Sequence, residues 1–152
     1  MKVVIIGGVA GGATAAARIR RLDEKAEIIV FEKSGYVSYA NCGLPYYIGG
    51  VIQNKEELTL QTPESFWKRF QITMKVRHEV TGIFPERKTV AVKNLDTGES
   101  FEEVYDKLHI STGAKSGSLW RKNSQSRQCL PEADILAWSL RKISGSWDWT
   151  LP

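Results

Sequence analysis

The chain has 152 residues, of which 42% are hydrophobic and 25% are charged, and its formal net charge is +4. This length and composition are typical of a soluble globular protein with one ordinary domain and a buried core. The small positive charge, without a basic stripe interleaved with aromatic residues, argues against a nucleic-acid partner, and no run of about eighteen apolar residues indicates a membrane span.

The amino terminus and the cysteines indicate the compartment. Met1 leads directly into an apolar run with strand character, not into a charged region followed by a cleavable apolar segment. The two cysteines, Cys42 and Cys129, do not make a disulfide framework. We therefore expect a cytoplasmic protein.

The first 33 residues have the layout of a strand, a glycine-rich turn, a helix and a second strand. Residues 3–6 (VVII) are an uninterrupted apolar run, which suits a strand buried on both faces of a parallel sheet. A glycine-rich turn follows at residues 7–12, and it opens a helix that we expect to end near Leu22. A second apolar run, residues 28–31 (IIVF), ends in Glu32. This order predicts an α/β fold of the Rossmann type with a parallel sheet.

The glycine turn has the composition of a phosphate-binding turn. It consists of Gly7, Gly8, Val9, Ala10, Gly11 and Gly12. Glycines let the backbone turn tightly and approach a pyrophosphate, whose charge is then held by free N–H groups and by the positive end of the helix dipole. Glu32, twenty residues after the last glycine, falls where a ribose hydroxyl needs an acceptor. A strict G-x-G-x-x-G would place glycine at Val9, so an ordinary βαβ unit with a glycine-rich turn is the alternative to a dinucleotide-binding site.

The predicted first helix has a basic face. Thr14, Arg18 and Arg21 are spaced by four and three residues, which puts them on one side of a helix. Four apolar residues can face the sheet: Ala15, Ala16, Ile19 and Leu22. The basic face is either a solvated surface or a docking site for an anionic substrate that carries phosphate.

Cys42 has surroundings that indicate chemistry. A cysteine in an apolar setting is usually an inert core residue. Here residues 44–48 (LPYYI) can begin a helix, so Cys42 lies at a helix N-terminus, where the dipole favours a thiolate. No second cysteine lies a few residues away. A redox-active Cys42 therefore needs a small-molecule thiol as its partner, or it must rest as a sulfenic acid.

A helix and a β-rich stretch follow. Thr62-Pro63-Glu64 is a helix start with a cap, a first-turn proline and an early acid, and we expect Phe66, Trp67 and Phe70 of this helix to make core contacts. We expect strands at residues 72–76, 88–93 and 100–104, with a turn at residues 96–98 (DTG), and a return to the parallel sheet at residues 105–110. His78 is a strand or surface residue in this interpretation, since no ligand cluster supports a metal site.

Three stretches carry a family resemblance: residues 7–14 (GGVAGGAT), 31–33 (FEK) and 38–46 (SYANCGLPY). Together they resemble the start of the coenzyme A disulfide reductases. That family is the single-cysteine branch of the FAD-dependent pyridine nucleotide-disulfide oxidoreductases, with NADH oxidases and peroxidases as close relatives. The resemblance extends through residues 62–64, 77–80 and 105–108 to residues 111–114 (STGA), and so covers about the first 115 residues.

The resemblance implies a role for each matching residue. The glycine turn would hold the FAD pyrophosphate and Glu32 the adenosine ribose. The remaining cofactor-binding residues would be Lys33 and Val80 beside the adenine, and Thr112 and Gly113 beside the flavin. Cys42 would be the catalytic residue, reduced by the flavin and forming a mixed disulfide with coenzyme A. The coenzyme A substrate would contact Thr14, Arg18, Arg21, Ser38 and Asn41.

The resemblance also implies an architecture. Residues 1–115 would form an FAD-binding domain with a small antiparallel β insert. The family then continues into an NAD(P)H-binding domain, whose nucleotide is the electron donor, and a domain that makes the homodimer. It keeps an aliphatic residue near the position of His109, where a buried imidazole must find a hydrogen-bond partner at a cost of about 1–3 kcal/mol if it finds none.

Residues 116–152 depart from the family pattern. They hold four of the five tryptophans and a polar run at residues 121–128 (RKNSQSRQ). Our hypothesis is that they form an atypical tail, produced by a change of reading frame near position 115, or a disordered segment. Cys129 lies in this tail, and we assign it no role.

Three functions remain open from the sequence. The first is an FAD-dependent oxidoreductase that acts on coenzyme A disulfide, with an NADH oxidase or peroxidase as a near neighbour. The second is a truncated, non-catalytic FAD-binding fragment, because nothing in the chain resembles the family's electron-donor domain. The third is an NAD-binding or redox-sensing module in which Glu32 selects NAD.

Overall fold

A computed structural model describes residues 1–113 of the protein. The elements in chain order are β1 (Lys2–Ile6), α1 (Gly11–Leu22), β2 (Glu27–Phe31), α2 (Leu44–Ile48), α3 (Pro63–Phe70), β3 (Thr73–Lys75), β4 (His78–Phe84), β5 (Thr89–Asn94), β6 (Ser100–Val104) and β7 (Lys107–Ile110). Two short 3₁₀ turns, Asn41–Gly43 and Lys55–Leu58, flank α2. The predictions for the tail, residues 116–152, and for Cys129 lie outside the described residues.

The described residues fall into two compact units. The first unit consists of Met1–Ala40 and Thr59–Gly113, and it holds both sheets. The described part of the second unit is Asn41–Leu58, which contains α2 and both 3₁₀ turns. In the first unit an antiparallel bridge joins Tyr39 to Thr59.

A four-stranded parallel sheet with the order β3-β2-β1-β7 forms the centre of the first unit. The strand β1 pairs in register with β2 on one side and with β7 on the other. Val4 and Ile5 are fully buried, as an apolar strand in the middle of a parallel sheet must be. The α/β fold with a parallel sheet is therefore as the sequence predicts.

Each face of the parallel sheet carries its own hydrophobic cluster. On one face Val3, Ile5 and their neighbours on β2 pack against Ala13 and Ala16 of α1 and Phe66 of α3. On the other face Val4, Ile6 and Phe31 pack against Val90 and Val92 of β5. Both faces are thus covered, and the carboxyl ends of β1, β2 and β7 are left at one edge with the turns that follow them.

The second sheet is antiparallel with the order β4-β5-β6. The prediction of a small antiparallel insert is confirmed, and so is the turn at residues 96–98, where Gly98 has a φ of 79°. The predicted membership is wrong at one strand: residues 72–76 contribute β3 to the parallel sheet, beside β2, and the third strand of the insert is β4. The first three residues of β4 are half-buried, and the next four alternate between exposed and half-buried, which is a weaker signal than an apolar run.

The helix α3 begins after the cap residue Thr62, as predicted, and the cap is a reciprocal capping box with Ser65. Thr62 Oγ1 accepts from the N–H of Ser65, Ser65 Oγ accepts from the N–H of Thr62, and Pro63 occupies the first turn. Phe66 is buried and Phe70 packs against the same cluster, but Trp67 is 58% exposed, so the predicted core contact of Trp67 is wrong. Trp67 follows Phe66 by about 100° around the helix and therefore points away from the sheet.

The helix α1 buries a narrower face than the sequence predicts. Ala16 is fully buried and Ile19 packs against the cluster, but Leu22 is 70% exposed, since it lies in the last turn, beyond the packed face. The end of α1 is held by Arg20 instead. Its guanidinium donates to the carbonyl oxygens of Phe70 at 2.8 Å and Gln71 at 3.1 Å, and to that of Glu24 at 2.6 Å. Arg20 thereby ties the end of α1 to the end of α3.

One ion-pair network joins the two sheets. Lys2 Nζ lies 2.7 Å from Glu103 of β6 and 3.1 Å from Glu27 of β2. The hydrogen bond to Glu103, the larger effect, and that to Glu27 raise the pKa of Lys2 above its usual value. Among residues 1–113 no helix is long and apolar enough to cross a membrane.

Candidate functional site

The glycine turn between β1 and α1 is closely packed on its own backbone and on β7. Gly7 has a φ of 95°, and a Cβ there would overlap the carbonyl oxygen of Ser111. A Cβ on Gly12 would overlap the carbonyl oxygen of Gly7. Val9 is not among the described residues with positive φ, so the backbone does not need a glycine at that position. The departure from the strict motif therefore leaves the tight turn intact.

The turn leaves the start of α1 open. The residue before the helix is Ala10, which makes no side-chain cap, and the first turn holds no acidic residue. The first N–H groups of an α-helix have no partner within the helix. Unpaired N–H groups and the positive end of a helix dipole are the groups that favour an anion such as a phosphate.

Glu32 is brought to the glycine turn at the end of β2. It is 9% exposed, and its carboxylate accepts from two backbone N–H groups, that of Gly8 at 2.6 Å to Oε2 and that of Ser34 at 2.8 Å to Oε1. These two bonds fix the orientation of the carboxylate. Each oxygen keeps a second lone pair, so the group can still accept from a ligand hydroxyl.

The predicted adenine-site residues lie on neighbouring strands. The N–H of His78 donates to the carbonyl oxygen of Glu32 at 3.0 Å, which joins the start of β4 to the end of β2. Lys33 Nζ lies 2.7 Å from Glu79 Oε1, and the following residue, Val80, is half-buried against the second cluster. The hydrogen bond from His78 to Glu32 and the ion pair of Lys33 with Glu79 thus hold the start of β4, which includes Val80, beside the segment that follows β2.

The segment after β7 reaches the glycine turn. The N–H of Ser111 donates to the carbonyl oxygen of Ile6 at 2.8 Å and continues the register of β7 with β1. Thr112 and Gly113 follow and are exposed, and Gly113 has a φ of 71°. The prediction that residues 105–110 return to the parallel sheet is confirmed by β7.

Sequence reasoning missed the part played by the side chain of Ser111. Its Oγ lies 3.1 Å from the place that a Cβ of Gly11 would occupy. His109, for which the sequence demands a hydrogen-bond partner, is half-buried and has its Nε2 2.7 Å from Ser111 Oγ. The signal in the sequence is the spacing of two, which puts both side chains on one face of a strand.

The predicted substrate-binding residues of the first unit lie on α1 and beside the turn. Thr14, Arg18 and Arg21 are exposed on one face of α1. Ser38 has a φ of 50°, and its N–H donates to the carbonyl oxygen of Gly8 at 3.0 Å, so its backbone lies against the glycine turn.

Cys42 and Asn41 belong to the second unit. Both are exposed and lie in the 3₁₀ turn Asn41–Gly43, and the thiol of Cys42 is free. The turn runs directly into α2 at Leu44, as the sequence predicts, with Pro45 in the first turn and no side-chain cap. Cys42 is therefore a solvent-accessible thiol just before the start of a short helix. Residues 1–113 contain no group of three or more histidine, cysteine, aspartate or glutamate side chains that could hold a metal ion.

Comparison with known proteins supports one family. A family model described as pyridine nucleotide-disulphide oxidoreductase matches residues 1–130. The coenzyme A disulfide reductase of Staphylococcus aureus (strain JH9) is 53% identical over 118 residues, which cover 78% of this chain and 27% of that protein. This chain therefore spans about a quarter of the length of the curated relatives that it matches.

Solved structures show the same fold. Reduced CoADR-RHD of Bacillus anthracis has a TM-score of 0.74 and 54% identity over 75% of this chain and 20% of its own. An NAD-dependent persulfide reductase from A. fulgidus has a TM-score of 0.73 and 42% identity over 76% and 21% of the two chains. The water-forming NADH oxidase of Lactobacillus brevis has a TM-score of 0.71 and 32% identity over 74% and 25%.

Proposed function

We propose, since this chain belongs to the pyridine nucleotide-disulphide oxidoreductase family, that it is the FAD-binding part of an oxidoreductase that reduces coenzyme A disulfide, or a related disulfide or persulfide, with electrons from NAD(P)H. The observation that carries the proposal is the Glu32 carboxylate, which two backbone N–H groups hold beside the glycine turn at the open start of α1. An ordinary βαβ unit has no need of a buried carboxylate at that place.

The residues of the first unit fit the FAD nucleotide. The turn at residues 7–12 has no room for side chains at Gly7 and Gly12, which gives it the tight turn and the close helix–strand packing of a dinucleotide-binding turn. Glu32 would accept from the ribose hydroxyls, and Lys33 and Val80 would flank the adenine. Thr112 and Gly113, at the end of β7, would lie beside the flavin.

Cys42 would carry the exchange with substrate. As a thiolate, its Sγ would attack one sulfur of coenzyme A disulfide, forming a mixed disulfide while the original S–S bond breaks and one coenzyme A leaves as a thiolate. The proton lost by Cys42 passes to solvent, to which the thiol is exposed. When bound, FAD would supply the two electrons, taken from NAD(P)H, that reduce the mixed disulfide and release the second thiol.

The basic face of α1 would bind the phosphates of the substrate. Arg18 and Arg21 are exposed, and neither makes a side-chain hydrogen bond or ion pair among the described residues. Their guanidinium groups are therefore free for phosphate oxygens, which suit their planar donors. Thr14, Ser38 and Asn41 would add hydrogen bonds.

A second candidate function rests on the share of its relatives that the chain spans. Because the matched residues correspond to 27% of the reductase, the second candidate is an FAD-binding fragment that does not catalyse the reduction. We expect the isolated chain to be inactive with NAD(P)H, with a separate domain needed for the nicotinamide nucleotide and for the homodimer. An NADH oxidase or peroxidase, the near neighbour of the first candidate, would cycle Cys42 through a sulfenic acid, and the 32% identity to an NADH oxidase supports it less than 53% identity supports the reductase.

The spectrum of the purified chain tests the cofactor. We expect a yellow protein, or one that becomes yellow with added FAD and keeps the flavin through gel filtration. A colourless chain that does not take up FAD would contradict the first two candidates.

The thiol exchange can be tested without any electron donor. The chain has two cysteines, so we expect intact-mass analysis after incubation with coenzyme A disulfide to show one coenzyme A adduct that Cys42→Ser abolishes and Cys129→Ser retains. A dimedone adduct on Cys42 after peroxide, without a coenzyme A adduct, would favour the oxidase. An adduct that persists in Cys42→Ser would overturn the role of Cys42.

A further inference from the structure

The proposed function gives no role to His109, although this residue is hydrogen-bonded to Ser111, which packs against the glycine turn. His109 pairs with Ile5 of β1, so its imidazole lies on the face of the sheet that α1 covers. Its Nε2 lies 2.7 Å from Ser111 Oγ, and both side chains are half-buried. The imidazole therefore reaches the turn through the Ser111 hydroxyl.

Ser111 is packed against the end of β1 at one point and against the glycine turn at two. Its N–H donates to the carbonyl oxygen of Ile6, its carbonyl group closes on Gly7, and its Oγ faces the missing side chain of Gly11. Gly11 is the first residue of α1. The Ser111 hydroxyl thus lies at the helix start, and because Gly11 has no Cβ nothing on that residue covers it.

The protonation state of the imidazole decides to which acceptor the Ser111 hydroxyl donates its hydrogen. A serine hydroxyl has a single hydrogen, and it can donate either to an imidazole nitrogen or to another acceptor. When Nε2 carries no proton, the Ser111 hydroxyl donates to it. When the ring is a cation, both ring nitrogens donate, so Ser111 Oγ accepts from Nε2 and its hydrogen is free for an acceptor at the turn.

We propose that His109 is a positioning residue for the FAD diphosphate, acting through Ser111: the protonated ring turns the Ser111 hydroxyl hydrogen toward a phosphate oxygen at the start of α1. This inference rests on the proposed function, because it needs a diphosphate at the glycine turn. It predicts that this chain binds FAD more tightly when His109 is protonated.

In the described part of the chain, the elements that pack around the imidazole of His109 present no carboxylate that could compete with Ser111 for the ring. On β7, Lys107 lies on the same face as His109, and β1 presents Val3 and Ile5 there. Helical spacing from Gly11 puts Ala15 and Arg18 on the side of α1 that faces Ser111. The charged groups that β7, β1 and α1 present are therefore the cations Lys107 and Arg18, so in the described structure the hydroxyl of Ser111 is the group that the ring Nε2 engages.

The test is the pH dependence of FAD binding to the 152-residue chain. Dissociation constants are measured by quenching of flavin fluorescence between pH 5.5 and 8 at constant ionic strength. Histidine is the side chain that ordinarily changes charge in this interval. One hydrogen bond to a charged group, weakened by partial exposure, should tighten FAD binding about three- to tenfold toward acid pH.

Three variants show which residues cause the pH dependence of FAD binding. His109→Leu and Ser111→Ala should each give the affinity of the wild-type chain at pH 8 and lose the increase at pH 5.5. His78→Gln, which removes the other of the two histidines, should retain it. Ser111→Ala removes one oxygen only, so it keeps the test valid if His109→Leu fails to fold, as judged by circular dichroism.

A flat profile in the wild-type chain, or the same slope in Ser111→Ala, overturns the inference and leaves the proposed function standing. An equal loss of affinity at every pH in both variants also overturns it, since that is the signature of a purely structural pair. Failure of the wild-type chain to bind FAD at any pH overturns the proposed function and the inference together.

Discussion

The glycine turn at residues 7–12 and the Cys42 segment, Asn41–Leu58, differ in how closely they are packed. In the turn, backbone atoms lie so close that Gly7 and Gly12 have no space for a methyl group. In the Cys42 segment most side chains are exposed, and nothing lies within 4 Å of a Cβ placed on Gly50. The difference indicates that the proposed cofactor site depends on the shape of the backbone, whereas the proposed reactive site depends on the chemistry of an exposed thiol. Substitutions in the turn should cost stability, whereas those in the segment should leave the fold intact.

The largest effect is expected at Gly12. In Gly12→Ala the new methyl group would overlap the Gly7 carbonyl oxygen and lie 3.1 Å from Ile5 Cγ2, so the backbone between β1 and α1 must move. We expect a loss of about 3 kcal/mol in the free energy of unfolding and a loss of FAD binding. Denaturant titration and flavin fluorescence measure the two effects.

Gly35→Ala is the matched control for this substitution. The nearest side-chain atom to a Cβ at Gly35 is 3.9 Å away, and the position has no positive φ. Its stability should stay within about 0.5 kcal/mol of the wild-type value. Equal losses in the two variants would contradict the packing argument.

Glu32→Gln should have the next largest effect. The amide can place one oxygen against one of the two N–H donors, Gly8 or Ser34, and then turns its own NH₂ toward the other. A buried donor left without an acceptor costs about 2 to 3 kcal/mol here, and FAD binding should weaken as well. Glu86→Gln, at an exposed position, serves as the control and should change neither quantity. A Glu32→Gln chain with wild-type stability would show that the carboxylate is not fixed as described.

Substitutions of Arg20 and Arg21 distinguish support of the fold from the proposed contact with substrate. Arg20 donates to carbonyl oxygens at the ends of α1 and α3, so Arg20→Ala should lower the free energy of unfolding by about 1 to 2 kcal/mol. Arg21→Ala should leave stability within about 0.5 kcal/mol and instead weaken the binding of coenzyme A disulfide. Denaturant titration and the adduct-forming rate distinguish them. A loss of stability in Arg21→Ala, with a loss of substrate binding only in Arg20→Ala, would contradict the proposed role of the basic face.

The smallest effect is expected at Gly50. Gly50→Ala meets no neighbouring atom, but the position has a φ of 75°, which costs an alanine about 1 kcal/mol. The loss in stability should therefore be about a third of that in Gly12→Ala, and FAD binding should be unchanged. A larger loss, measured in the same denaturant titration, would mean that the Cys42 segment is packed as tightly as the turn.

The sequence was most informative where a local rule decides the structure. Apolar runs predict β1 and β2, the glycines and the capping residue Thr62 predict the starts of α1 and α3, and Gly98 predicts the turn of the insert. Each of these signals acts within a few residues along the chain. The exposed faces were less well predicted, as Leu22 and Trp67 show, because helical spacing gives a direction and not the width of the partner surface.

By itself, the sequence therefore determined the βαβ order, the tight glycine turn, the acid at its edge and the family. Only the tertiary structure decided that β3 joins β2 in the parallel sheet, that Arg20 ties α1 to α3, and that Ser111 lies against Gly7 and Gly11 with His109 behind it. The physical reason is range: contacts between residues 44 to 104 positions apart depend on which surfaces the whole chain brings together, and local spacing carries no record of that choice.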